Sequence, residues 1–258
     1  MKLSFIRYLI LSLLFMGCLA WVSCSKELSA TGNPTTYTIQ FTDVVGIAPL
    51  KLDTVYTNTL NQEFLVSAFK YYISDIELYS KNGKVISLQG IYHLVDASDS
   101  TTMAVSFPAP VDSLTAFSFL IGLDSAIDIS GNQNGDLNPS KGMYLSRTDG
   151  YIMAKLEGIS PSSTAQGYQF NYDINGFAGP ENVLRRVTFA LPGIPLNLNP
   201  IIPDTVVISL DADVDAWFQG PHLLSINQYP TCITPGALAS DYADNYADMF
   251  TLRNVQVK

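Results

Sequence analysis

The side chains of this 258-residue chain that offer chemistry are few: His93, His222, Cys232 and a stretch dense in aspartate and asparagine. His93 lies in Tyr92-His-Leu-Val-Asp96, an apolar strand pattern in which an imidazole bonded to backbone is the ordinary case. His222 follows Gly220-Pro221 and reads as a solvated loop residue. Cys232, near Pro230 and Pro235, reads as a buried thiol, and it becomes a soft metal ligand only if His222 or a methionine converges on it. The chain has no HExxH, no GxSxG and no glycine-rich phosphate loop, and nothing sets a serine and a carboxylate beside either histidine. A hydrolase is thus the least supported class. No catalytic residue is assigned, and the expectation is a protein that is not an enzyme.

Oxygen donors are denser. Asp124, Asp128, Asn132, Asn134 and Asp136 fall within one stretch. Calcium takes six to eight oxygen ligands, which flexible Asp/Asn-rich loops provide. Ser130-x-Asn132-x-Asn134-Gly135 is only faintly similar to an EF-hand, with no glutamate at the twelfth position. The plainer reading gives these residues to Asx-turns that shape a loop. As metal donors the candidates are Asp124, Asp128, Asn132 and Asp136, with Asp173 on a later strand, and such carboxylates suit calcium better than copper. Asp211, Asp213 and Asp215 alternate along one strand face and read as a solvated, edge-protecting row. Glu157 has Arg147 or a turn amide as its expected partner, a choice left open.

These residues sit between strands. Phe117, Phe119 and Ile121 recur at period two, a long Gly/Asn/Asp/Ser/Pro loop follows, and Tyr151–Glu157 returns as a strand ending at Gly158. A loop of that length inside a compact domain is uncommon unless it is functional. Tyr37, Ile39 and Phe41 share the face of a first strand, and Phe64 to Tyr72 begins another. Ile73–Tyr79 and Val85–Leu88 flank Lys81-Asn82-Gly83-Lys84, which predicts a hairpin with a type I′ turn at Asn82-Gly83. Tyr168, Phe170, Tyr172 and Ile174 point to one face of a further strand, Val183–Leu191 forms another, and Val206–Trp217 alternates again. Leu238, Tyr242, Tyr246 and Met249 stand at helical spacing, with Ser240 as the expected cap. The prediction is an all-β fold: a two-sheet antiparallel β-sandwich with long loops and one short C-terminal helix.

The first residues carry Lys2 and Arg7, then an apolar run from Tyr8 to Val22, then Ser23-Cys24. This reads as a lipoprotein signal peptide over 1–23, with Cys24 as the lipid attachment site and 24–36 as a polar tether. Lys2 and Arg7 leave with the signal, so 14 basic residues become 12 against 23 acidic ones, a formal charge of −11. A chain so acidic is a poor partner for nucleic acid, and its membrane contact should come through the anchor alone. After lipidation only Cys232 remains, so the fold must hold through its core rather than a disulfide. The expected location is the cell outer membrane or cell surface. Which periplasmic or surface protein it partners is unknown from these residues.

Five words carry a resemblance: Ile121–Ser125 (IGLDS), Gly135–Pro139 (GDLNP), Lys141–Tyr144 (KGMY), Gly150–Gly158 (GYIMAKLEG) and Asp244–Phe250 (DNYADMF). With KYYISDIEL and YHLVD they make residues 37–258 similar to the MbnP-like family, secreted or surface-attached proteins some of which bind copper. Ser25-Lys26-Glu27 resembles the surface-export signal of Bacteroidota-type lipoproteins. The resemblance implies a copper site built with a modified tryptophan after the Gly-Met pair and a Tyr-His pair on a later strand. This chain has Met143-Tyr-Leu-Ser-Arg-Thr-Asp149 at the first place and Asp173 where the histidine would stand. The expectation is a surface-anchored lipoprotein for non-catalytic ligand or metal handling, its copper site degenerate and its cofactor unknown. The second expectation, from another class, is an adhesion or glycan-binding accessory module whose Tyr and Trp faces stack on sugars.

Overall fold

The computed structural model describes residues 35–111, 113–124, 127, 130–131, 133–195 and 205–258. The expected signal peptide, Cys24 and most of the tether lie outside them, as do Asp128 and Asn132. Two sheets pack face to face. The smaller contains β1 (Thr35–Val45), β2 (Ala48–Pro49), β6 (Ala104–Ala109), β12 (Thr205–Asp213) and β14 (Phe250–Val257). The larger is built on β4 (Glu63–Ser80), flanked by β3 (Val55–Thr57), β5 (Val85–Asp96), β7 (Ser113–Ile121) and β9 (Gly150–Ile159). It continues through β8 (Tyr144–Ser146), β10 (Gln169–Asn175), β11 (Arg185–Pro195) and β13 (Thr231–Cys232). The predicted sandwich holds, with a refinement: β1 runs parallel to β12 and β10 parallel to β13, the remaining pairings being antiparallel.

Strand β4 is long enough to serve two neighbours along one edge. Leu65–Tyr71 pairs with β9, and from Ile73 onward β4 pairs with β7. Asp75 breaks the ladder with a φ of 51°, and the register shifts there. Such an irregularity bends a strand and raises its local twist, which lets the sheet curl. The core lies between the sheets. Phe41 of β1 meets Tyr71, Phe119 and Phe250 edge-on, and each ring is buried.

The hairpin forms where predicted, but its turn differs. Ser80 and Lys84 close a three-residue loop, Gly83 N–H donates to the Ser80 carbonyl, and Gly83 has φ 81°. Asn82 does not take positive φ, so the turn is not type I′. It fits the three-residue hairpin loop that ends in a left-handed glycine. Helix α1 (Ala237–Ala247) is capped by Gly236, not Ser240, whose hydroxyl instead accepts from Arg185. Tyr168 leaves the core face: it has φ 57° and is 62% exposed, whereas Phe170, Tyr172 and Ile174 are buried as expected. The row of aspartates ends early too. The chain turns into a 3-10 segment at Val214–Trp217, where Asp213 accepts from the N–H groups of Gly46 and Asp215, and Asp215 from Thr59 N–H.

Candidate functional site: a charged row and the loop beside it

Four charged residues line up across the larger sheet. Asp96 of β5 is opposite Lys70 of β4, Lys70 is opposite Lys155 of β9, and Lys155 is opposite Asp173 of β10. Side chains of successive residues alternate between faces, so the core-facing neighbours Phe69, Tyr71, Leu156, Tyr172 and Ile174 leave these four on the outer face. Two adjacent ammonium groups would repel, and each is met by a carboxylate. Lys70 Nζ lies 2.8 Å from Asp96, while Lys155 Nζ lies 2.5 Å from both Asp173 and Glu157. Lys155 is only 9% exposed. Burial raises the Asp173 carboxyl above its usual range despite Lys155. Burial alone would lower the Lys155 ammonium, but Asp173 and Glu157 more than offset it and the group is held above its ordinary value. Glu157 therefore pairs with Lys155, not with Arg147 or a turn amide.

The central loop is fastened over this face by hydroxyls and an ammonium. Tyr72 donates to the Asp136 carbonyl at 3.0 Å, Tyr151 to the Leu137 carbonyl at 2.9 Å, and Lys70 to the Lys141 carbonyl at 3.1 Å. The described carboxylates of the loop are bonded within it or to β5. Asp124 accepts from Ile127 N–H and from the Tyr92 hydroxyl. Asp136 accepts from Leu94 N–H and lies 3.2 Å from His93 Nδ1, a contact that chiefly holds its carboxyl below the usual range. His93 Nε2 is 2.7 Å from the Thr102 carbonyl, which accepts its hydrogen bond, so that nitrogen has no lone pair to give a metal. Asp124, Asp136 and Asp173 do not come together. Among the described residues, three His, Cys, Asp or Glu donors gather at His222, Asp241 and Asp244.

That grouping was not legible from spacing alone. His222 is not a free loop residue: its backbone is bonded on both sides to the buried Asn245 of α1. Cys232 is buried, and burial pushes its thiol up to about 12, so it offers no thiolate near neutrality. Trp217 is fully buried against Phe69, Tyr242 and Tyr246. On the sheet surface, a cleft of about 410 Å³ is lined by Val55, Glu63, Leu65, Ile159, Pro161 and Tyr168.

The family model for MbnP matches residues 34–234. The closing word Asp244–Phe250 lies beyond that match. Among solved structures, the fold is similar to "MbnP from Methylosinus trichosporium", with a TM-score of 0.56 over 87% of this chain and 99% of that one, at 11% sequence identity. No curated protein matches.

Proposed function

Because the chain belongs to the MbnP family, we propose that its domain handles a ligand or metal without catalysis, and without the copper site the family resemblance implies. The observation that carries this reading is the Lys155–Asp173 ion pair. Asp173 stands where the resemblance implies histidine, and a cation already neutralises it. For copper to bind there, Asp173 would have to release a nearly buried ammonium and leave it beside a dication, which is costly in a poorly solvated place. The strand after Met143 offers Tyr144, Leu145 and Ser146, none of them an oxidisable indole. The residues present do not fit the family's copper. Titration with Cu(II) against a strong chelator tests this: the protein should yield its copper readily, and retention of one equivalent would overturn the reading.

The same proposal places the domain at the outer membrane or cell surface, tethered through Cys24. Support comes from the charged start of the chain, its apolar run and Ser23-Cys24. A second reading, glycan binding, is favoured by Tyr168 alone: it is exposed and lines an apolar cleft that Glu63 also lines. Trp217, being buried, can take no part in it.

A further inference from the structure

Three donors that belong to neither the charged row nor the central loop meet beside helix α1. We propose that His222, Asp241 and Asp244 form a binding site for a first-row divalent metal ion of the zinc(II) class. His222 Nε2 lies 3.3 Å from Asp244 Oδ2 and 3.6 Å from Asp241 Oδ1, and the three ligand atoms fall within 4.8 Å of one another. Bonds of about 2.0–2.1 Å at tetrahedral angles set donors about 3.3 Å apart. The two histidine–aspartate separations thus lie within tenths of an ångström of this spacing, and the two aspartate oxygens, within 4.8 Å of each other, close on the ion by side-chain rotation. Mixed imidazole and carboxylate donors suit zinc, and no thiolate is present to select a softer ion.

The surroundings fix the donors before any ion arrives. Asp241 and Asp244 are three residues apart on α1 and so share a face. The histidine comes from a loop clamped to the same helix. Asn245 Oδ1 accepts from His222 N–H at 2.9 Å, while its Nδ2 donates to the His222 carbonyl at 2.9 Å and the Trp217 carbonyl at 3.1 Å. Asn245 is fully buried, so the clamp is rigid. Gly220 makes the approach feasible, since a Cβ there would come within 2.9 Å of Asn245 Oδ1. On the other side Arg185 Nε donates to Asp244 Oδ1 at 2.7 Å. Its remaining donors are spent on the Asn182, Leu184 and Ser240 oxygens. Arg185 therefore holds one oxygen of Asp244 and leaves Oδ2 to accept from His222 Nε2 at 3.3 Å. An ion binding here displaces that ring proton and takes both atoms, with Arg185 as the outer partner that orients a metal ligand. Two carboxylates and one guanidinium give a local charge of −1, which a dication reverses to +1. The side chains are 36%, 40% and 41% exposed, so an ion reaches them from solvent and a water can complete the coordination.

The site shares no residue with the row that displaces the family's copper, so the two readings fail independently. The test is calorimetric titration of the metal-stripped full-length protein with zinc, repeated with cobalt(II) to read a visible ligand-field band. One equivalent should bind, and His222→Ala and Asp241→Asn should each weaken binding at least tenfold and abolish the cobalt band. Both variants should keep the parent's melting temperature without metal, because the clamp uses only the backbone of His222 and Asp241 lies on the helix surface. Absence of zinc binding at millimolar ion, or unchanged affinity in either variant, would overturn the proposal.

Discussion

Lys155 of β9 and Asp173 of β10 lie opposite each other in the ladder, their charged groups 2.5 Å apart on the face beside the central loop. Removing one member leaves the other desolvated and unpaired. Lys155→Ala should therefore destabilise the domain by on the order of 3 kcal/mol, most of it the cost of stranding Asp173 and Glu157. Adding Asp173→Asn to that variant should recover a large part of the loss, because the neutral amide costs less to bury. A double-mutant cycle by chemical denaturation measures both. Additive losses would mean that the pair is not coupled.

The contribution of Asp43 to the pH dependence has a definite sign. It lies in the core, accepts a hydrogen bond from the Tyr71 hydroxyl at 3.0 Å, and burial raises its carboxyl to about 7. The folded state thus holds a proton that the unfolded state releases near pH 4. Stability from this group is fully present below pH 4, falls as pH rises towards 7, and stays lost above that. Asp43→Asn should raise stability at pH 8 by up to roughly 4 kcal/mol and change it little at pH 4. Thermal melts of both proteins at the two pH values check this, and equal shifts at both would contradict it.

Two glycines are required for different reasons. At Gly158 a Cβ would overlap the Leu65 carbonyl and the Phe170 ring, so Gly158→Ala should cost about 3 kcal/mol or more through overpacking. At Gly83 the space is open and only the backbone objects, with φ 81°. Gly83→Val should cost about 1–3 kcal/mol, and Gly83→Asn much less. Denaturant midpoints of the three variants should fall in that order.

Cys24 should be the acylated first residue of the protein extracted from membranes. Mass spectrometry of its N-terminal peptide should show the lipid, and Cys24→Ala should release the protein from the membrane fraction or block its maturation. A soluble product that begins elsewhere would contradict the anchor.

Much of the fold was legible because strands advertise themselves at period two. The faces of β1, β7 and β10 follow from Tyr37, Phe119 and Phe170, all buried as their alternation implies, and the start of β4 was legible from its aromatic and β-branched residues. What hid was register. Lys155 sits in an apolar word, and nothing local reveals that β4, β5, β9 and β10 align Asp96, Lys70, Lys155 and Asp173 in one row. Tyr168 kept the period but left the face, because Gly167 and Tyr168 both turn to positive φ at the strand's start. The His222 side chain is part-exposed in a loop as read, and what the sequence hid was its backbone clamp to Asn245, 23 residues away. Of the loop carboxylates, Asp124 makes a local turn contact with Ile127 N–H, whereas Asp136 makes none among the described residues and instead fastens the loop to β5.

The claim that Lys155 stands in for the family's metal at Asp173 is tested most directly on native material. The protein isolated from its own cells, without chelator or added metal, should be analysed for copper content and for the mass of the peptide carrying Trp217. Copper well below one equivalent, with an unmodified Trp217, is the predicted result. One equivalent of copper that resists chelation, or an oxidised Trp217, would show that the chain rebuilds the site from other residues.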